Sequence, residues 1–235
     1  MTFQTFRDGI QHGVYRIIDP AVRGLVKIGA TPNMMTTVGL LGNLAAAALI
    51  IMAAYTAADP TQLSTLNFQL STFNSPFTLL GWAGGVTLFF SIFDMVDGYM
   101  ARTANMVTRF GAFYDSVLDR YSELATLSAL AFYFMMLQQH VFAIATFLAI
   151  TGSIMVSYVR ARAEAIGCEC KLGLMQRPER VVVTTLGLLL AGLLQDVVRP
   201  LFDPIWFVAA PMILIAVLAN ATAIVRILHV KKQLD

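Results

Sequence analysis

The stretch SIFDMVDGYMARTANMVTRFGAFYDSVLDR, residues 91–120, places four aspartates between two long apolar runs. Asp94 and Asp97 are three residues apart, and Asp115 and Asp119 are four apart, so each pair shares one face of a helix. A short turn between the pairs would make the two helices antiparallel, and it can bring the two pairs face to face. The segment therefore predicts a helical hairpin with an acidic cluster at one end.

The rest of the chain is apolar enough to lie in lipid. Of its 235 residues, 57% are hydrophobic and 13% are charged, and the mean hydropathy is +0.70. A soluble domain has about 25% charged residues, and a helix that crosses a bilayer needs about 20 mostly apolar residues. The chain is predicted to be an all-α membrane protein, whose six transmembrane helices form one domain at residues 31–235. These six spans are residues 35–58, 77–101, 110–137, 140–163, 181–198 and 204–228.

The first 30 residues have a different pattern. Apolar residues recur at helical spacing over residues 3–28, and Arg7, Arg16, Arg23 and Lys27 lie between them. No run is long and apolar enough for a cleaved signal peptide. We therefore predict an amphipathic helix at residues 1–30, lying in the membrane interface and broken at Asp19-Pro20.

The charged residues and cysteines predict the orientation in the membrane. Of the 16 Lys and Arg residues, all but Arg199 fall on one predicted side or near helix ends that face it, which makes that side cytoplasmic. Cys168 and Cys170 are separated by one residue and are expected to be reduced thiols. A net charge of +2 is too balanced to indicate a nucleic-acid partner. We expect an integral protein of a bacterial inner membrane, with its active site facing the cytoplasm.

The positions of the four aspartates carry a cost in free energy, because they lie within or next to predicted spans. An aspartate within a span costs about 2.5 to 3.5 kcal/mol on insertion scales, and clustered carboxylates repel one another unless cations neutralise them. Oxygen ligands favour hard ions, and two bridged ions are the usual device for phosphoryl displacement. Mg²⁺, Mn²⁺ and Ca²⁺ all meet this description, and we predict two Mg²⁺ ions, with Mn²⁺ as a possible substitute. Gly98 and Gly111 would leave room for a ligand, and Arg102 could pair with a phosphate.

Other interpretations of the same residues stay open. A divalent-cation channel or transporter also holds acids within its spans. Glycines in membrane helices commonly serve packing, and Arg102 could be a cytoplasmic anchor. An inactive scaffold would be favoured by a missing acid, but none is missing.

The spacing D-x2-D-G-x2-A-R-x8-G-x3-D-x3-D resembles the signature of the CDP-alcohol phosphotransferase family, and the P-N-x2-T start at residues 32–36 is also similar to that family. The resemblance implies CDP-diacylglycerol as a substrate, membrane lipids as surroundings and a homodimer. Gly81, Gly84 and Gly85 could allow close helix contact in a dimer, and they could equally serve packing within one subunit. It implies Asp119 as the base that takes the proton of the attacking hydroxyl. It implies metal ligation by Asp94, Asp97, Asp115 and Asp119, and CDP-lipid binding by Asn33, Thr36, Asp97, Gly98, Ala101, Arg102, Gly111 and Asp115.

A second basic cluster bears on the acceptor alcohol. The planar guanidinium suits phosphate, so arginines beside the fourth and fifth spans indicate a phosphorylated polyol, although a positive-inside loop would also explain them. The patterns SYVRARAE and RPER resemble bacterial phosphatidylinositol-phosphate synthases, which implies inositol phosphate as the acceptor. That resemblance assigns its phosphate to Arg160, Arg177 and Arg180. Phosphatidylglycerophosphate synthase, which uses glycerol 3-phosphate, is the alternative.

Overall fold

The computed structural model describes residues 19–58 except 21 and residues 75–235 except 171, and each regular element in these ranges is helical. The six long helices coincide with the six predicted spans. Their bounds are α1 Pro32–Ala58, α2 Pro76–Thr103, α3 Arg109–Met136, α4 His140–Ala165, α5 Arg177–Val198 and α6 Trp206–Leu234.

Five of these helices, all but α3, have the length and hydropathy of a membrane span within the described ranges. The protein is therefore an all-α membrane protein. Helix α3 carries Asp115, Asp119, Arg120 and Glu123, which lower its hydropathy. The prediction of six spans is thus supported for five helices, and the sixth span stays a prediction.

The chain divides into two compact units, and α1, α2 and α3 each contribute to both. Among the described residues, the first unit comprises residues 19–42 and 89–121, and the second comprises residues 43–58, 75–88 and 122–235. The second unit has the larger apolar core, which includes Ile50, Leu80, Leu130, Leu188, Met212 and Ile215, each fully buried. The first unit has a smaller core and is the one that contains the acidic motif.

The predicted amphipathic segment at residues 1–30 is described only from residue 19 onward, and its earlier part lies outside the described residues. Residues 22–27 are helical there. Val22 is 2% exposed and packs with Val96 and Met100 of α2, whereas Arg23 is exposed. The apolar face of this part is therefore buried against protein, because α2 offers it a matching apolar surface.

A tight turn joins α2 to α3 within the first unit. Asn105 has a positive φ of 55°, and the Met106 amide donates to the Ala101 carbonyl at 2.9 Å. This is the hydrogen bond that ends a helix with a left-handed residue, a conformation that asparagine tolerates better than most residues. The predicted turn between the two aspartate pairs is therefore present.

Glycines allow two helices of the second unit to touch. A Cβ atom added to Gly192 of α5 would lie 2.4 Å from the Gly81 Cα of α2, and one added to Gly84 would lie 2.8 Å from the Leu189 amide nitrogen. Such distances leave no space for a side chain. Gly81 and Gly84 thus serve packing within one subunit, which is one of the two roles predicted for them. A homodimer remains a prediction.

Candidate active site

Asp97 is the best-buried of the four motif aspartates. Asp97 is only 4% exposed, and the Thr36 hydroxyl donates a hydrogen bond to Asp97 Oδ2 at 2.7 Å. Helix α1 begins at Pro32, because proline is well tolerated in the first turn of a helix. Thr36 lies one turn later, so the P-N-x2-T sequence places its hydroxyl beside the acidic motif. Thr36 therefore fixes one carboxylate oxygen of Asp97.

Two further aspartates of the first unit act electrostatically on Asp97. Asp94 and Asp115 lie close enough for their charges to act on its carboxylate. A Cβ added to Gly39 would lie 3.0 Å from Asp94 Oδ1, so the glycine on α1 leaves room for this carboxylate to approach closely. Gly39 was not among the site residues predicted from the sequence. Its position three residues after Thr36, on the same face of α1, is the signal that could have found it.

Asp115 and Asp119 are partly exposed on α3, and both belong to the same unit as Asp94 and Asp97. Across the described ranges, no three or more His, Cys, Asp or Glu side chains are grouped closely enough to hold a metal ion. The chemistry of the donor set fits Mg²⁺ or Mn²⁺, since every predicted ligand is a carboxylate and one of them is buried. The metal-ligand roles of the four aspartates remain predictions.

The residues predicted to bind the CDP-lipid all belong to the first unit. A Cβ added to Gly111 would lie 3.3 Å from Asn33 Oδ1 and 2.9 Å from Thr108 Oγ1, so the start of α3 lies against the start of α1. The Arg102 guanidinium lies beside Gly98, 3.6 Å from an added Cβ, and Ala101 is on the same turn. All the predicted CDP-lipid residues, Asn33, Thr36, Asp97, Gly98, Ala101, Arg102, Gly111 and Asp115, are therefore part of one compact unit.

The three predicted acceptor arginines belong to the second unit. Arg160 is partly exposed and pairs with Glu164 at 2.9 Å, a surface ion pair that contributes little stability and can be exchanged for another anion. Arg177 is the first residue of α5.

Arg180 has a different environment from Arg160. It is 1% exposed and binds Glu123 through two hydrogen bonds, Nε to Oε1 at 2.5 Å and Nη2 to Oε2 at 2.8 Å. Its Nη1 donates to the Met175 carbonyl at 3.0 Å. Glu123 was not among the predicted site residues. It follows Asp119 by four residues and is the third acid on α3 after Asp115 and Asp119, which is the signal that could have found it. Arg180 is thus held in a fixed position.

Comparison with known proteins agrees with this geometry. Residues 29–230 match the family described as CDP-alcohol phosphatidyltransferase. The phosphatidylinositol phosphate synthase of Mycobacterium marinum is 31% identical over 173 residues, which are 73% of this chain but 64% of that protein, so the match spans less than two thirds of that relative's length. The archaetidylinositol phosphate synthase of Methanothermobacter thermautotrophicus is 38% identical over 142 residues, which are 60% of this chain and 65% of that protein.

Solved structures show the same likeness. The crystal structure of Mycobacterium tuberculosis phosphatidylinositol phosphate synthase with CDP-DAG bound superposes with a TM-score of 0.72 at 31% identity, covering 92% of this chain and 94% of that one. A second structure of that enzyme, in complex with manganese and citrate, gives a TM-score of 0.72 at 29% identity, covering 90% and 87%. The chain belongs to the CDP-alcohol phosphatidyltransferase family.

Proposed function

We propose that the chain transfers the phosphatidyl group of CDP-diacylglycerol to inositol phosphate, forming phosphatidylinositol phosphate and releasing CMP. One observation supports this class of reaction above the others. The first unit contains the complete acidic motif, and its buried Asp97 is fixed by a hydrogen bond from Thr36. Related enzymes of known structure support the substrates, because one was solved with CDP-DAG and relatives named phosphatidylinositol phosphate synthase are about one third identical. Membership of an enzyme family favours this interpretation over ion transport.

Residues of the first unit would bind the metal ions and the CDP portion and would accept the proton of the acceptor hydroxyl. Asp94, Asp97, Asp115 and Asp119 would hold two divalent ions, Mg²⁺ or Mn²⁺, which when bound neutralise charge on the phosphate oxygens. Asp119 takes the proton of the acceptor hydroxyl. The hydroxyl oxygen then bonds to the phosphorus that carries diacylglycerol, the bond from that phosphorus to the CMP oxygen breaks, and CMP leaves. Asn33, Gly98, Ala101, Arg102 and Gly111 would bind the CDP portion.

The membrane arrangement is part of the proposal. Helix α3 would be the sixth span, because its bounds match the predicted span at residues 110–137 within one residue at each end. The distribution of Lys and Arg supports a cytoplasmic active site in a bacterial inner membrane. Residues 1–30 would form the interfacial helix that precedes the domain at residues 31–235, and two copies would form a homodimer.

A panel of acceptors tests the proposed function. Purified protein, CDP-diacylglycerol and Mg²⁺ would be incubated in turn with inositol phosphate, glycerol 3-phosphate, free inositol and serine, and CMP release would be measured. We expect inositol phosphate to give the highest kcat/KM and free inositol to be poor, since a dianion needs fixed cations that a neutral polyol does not use. Equal use of free and phosphorylated inositol would refute the phosphate site. A preference for glycerol 3-phosphate would identify the phosphatidylglycerophosphate alternative.

Replacement of Arg177 by alanine tests whether the arginines hold the acceptor phosphate, the role also proposed for Arg160 and Arg180. One charge-assisted contact contributes about 1.5 to 3 kcal/mol, so we expect the KM for inositol phosphate to rise about 10-fold to 150-fold. The KM for CDP-diacylglycerol should change little, because the residues proposed to bind it belong to the other unit. Arg199→Ala is the matched control, since Arg199 caps the opposite end of the same helix. A defect confined to CDP-diacylglycerol would refute the acceptor role of Arg177.

A further inference from the structure

A cavity lies at the end of α5 that is opposite Arg177. It has a volume of about 410 Å³ and is lined by Phe77 of α2 and by residues 199–204, which connect α5 to α6. All of these residues belong to the second unit. Helix α5 has 22 residues and is thus about 33 Å long, so the cavity cannot share a ligand with Arg177. Cavities of about 300 to 1,000 Å³ accommodate small ligands, so this one is a candidate for a second binding site.

The connection that lines the cavity is held by its own hydrogen bonds. The Leu201 and Phe202 amides both donate to the Val198 carbonyl, at 2.7 and 3.0 Å. The Ile205 amide donates to Asp203 Oδ1 at 2.9 Å, which fixes one oxygen of this carboxylate. These contacts define the shape of the connection by themselves, so a ligand would bind a preformed site and little conformational entropy would be lost.

Two side chains of opposite charge line the cavity. Arg199 and Asp203 are both exposed, and among the described residues, which include both, no salt bridge joins them. Arg199 is also the one Lys or Arg residue that the charge distribution assigns to the side of the membrane opposite the predicted cytoplasmic side, where cations are rare. A guanidinium binds phosphate through paired hydrogen bonds, and a carboxylate binds ammonium. The cavity is therefore suited to a ligand that carries both groups.

Apolar side chains beside the charged pair favour a lipid as the occupant. Leu201, Phe202 and Trp206 are exposed at the same end of the second unit. Trp206 is the first residue of α6, and tryptophan is enriched where a membrane span meets the head-group region. A soluble zwitterion would leave these side chains in contact with water. A phospholipid would cover them with its glycerol and acyl chains while its head group enters the cavity.

We propose that this cavity binds the head group of a phospholipid in the adjacent leaflet, and that this head group carries a phosphate and a primary ammonium, as that of phosphatidylethanolamine does. Arg199 binds the phosphate, and Asp203 accepts hydrogen bonds from the ammonium. A purely anionic head group would meet the Asp203 carboxylate without a compensating cation, which disfavours it. The site is distinct from the one proposed for phosphatidyl transfer, and the inference does not depend on that proposed function.

Fluorescence quenching of Trp206 tests the inference in the full chain. The chain has two tryptophans, so Trp82→Phe leaves Trp206 as the one reporter. The purified protein in neutral detergent micelles would be titrated with phosphatidylethanolamine or phosphatidylglycerol that carries brominated acyl chains, because bromine quenches a tryptophan only at short range. We expect half-maximal quenching at about a 10-fold lower concentration of phosphatidylethanolamine, since one charge-assisted contact distinguishes the two lipids.

Three variants in the same background test whether this preference arises in the cavity. Arg199→Ala should raise the half-maximal concentration of phosphatidylethanolamine about 10-fold or more, because the phosphate loses its fixed cation. Asp203→Asn should equalise the two lipids, since its amide oxygen can still accept the Ile205 hydrogen bond but its charge is gone. Asp196→Asn is the matched control. It removes an exposed acid near the end of α5 that does not line the cavity, so it should leave the preference unchanged.

Three results would overturn the inference. Equal quenching by both lipids in the Trp82→Phe protein would indicate only general contact between lipid and the protein surface. A preference for phosphatidylglycerol would indicate a site for anionic lipid, in which Asp203 binds no ammonium. A preference for phosphatidylethanolamine that persists in Asp203→Asn or in Arg199→Ala would place the bound lipid outside the cavity.

Discussion

Replacing Asp97 by asparagine should reduce turnover about 1,000-fold, which corresponds to about 4 kcal/mol of lost transition-state stabilisation. The asparagine side chain would have nearly the same shape as the aspartate and could still accept the Thr36 hydrogen bond through its carbonyl oxygen. It would lack the negative charge that a divalent ion requires. We expect a similar loss for Asp94→Asn and Asp115→Asn, because both are proposed ligands of the same metal ions.

Thermal unfolding separates the loss of metal from damage to the fold. A metal ion at 100 times its Kd stabilises the native state by about 2.7 kcal/mol, so Mn²⁺ should raise the Tm of the wild-type enzyme and leave that of Asp97→Asn unchanged. In excess chelator the variant should be at least as stable as the wild type, since it no longer buries a carboxylate that is 4% exposed.

Asp19→Asn is the matched control for these variants. Asp19 lies in the same unit and accepts a hydrogen bond from the Tyr99 hydroxyl at 2.9 Å, but it lies outside the motif. Its variant should retain both turnover and the response to Mn²⁺. Near-normal activity of Asp97→Asn in saturating Mg²⁺ would contradict the ligand role of Asp97.

The sequence predicted the location of the helices better than their ends. Long apolar runs identify the six helices, because a helix in lipid must be apolar over most of its length. Hydropathy does not show where a helix continues into a polar turn. Helix α5 begins four residues before its predicted start, with Pro178 in the first turn and Arg180 buried. Helix α6 continues six residues beyond its predicted end, through Lys231 and Lys232. The predicted α2–α3 turn is correct because the change from apolar to polar residues is sharp there.

The candidate site was predictable where the residues that compose it are close in sequence. The aspartates follow a helical spacing, and the structure unites them with Asn33 and Thr36 in one unit. Gly39 and Glu123 were missed because their partners, Asp94 and Arg180, lie on other helices.

Arg226 is a further residue whose environment could not be predicted from the sequence. Its charge alone fits the positive-inside pattern, whereas its burial and its contacts with the Leu172 and Val156 carbonyls depend on tertiary packing. A linear pattern contains the period of a helix but not the identity of the helix that packs against it.

Replacing Asp119 by asparagine should remove the base while leaving the CDP-lipid site largely intact. Positioned general bases contribute about 100-fold to 10,000-fold to rate, so kcat should fall within that range. The affinity for CDP-diacylglycerol should change little, because the residues proposed to bind its CDP portion do not include Asp119. Direct binding of CDP-diacylglycerol to the variant and single-turnover release of CMP would measure the two quantities separately.

Ser116→Ala provides a control on the same helix. Ser116 lies three residues before Asp119, and its hydroxyl accepts a hydrogen bond from Arg120 at 2.5 Å, so its variant disturbs the polar surface of α3 without removing an acid. It should keep most of the wild-type kcat. If Asp119→Asn instead abolishes CDP-diacylglycerol binding and the Mn²⁺ response of the Tm, Asp119 acts mainly as a metal ligand, and the proton of the acceptor hydroxyl must go to another group. If the variant binds CDP-diacylglycerol and Mn²⁺ normally yet fails to release CMP, the defect lies in the transfer step, which is where a base acts.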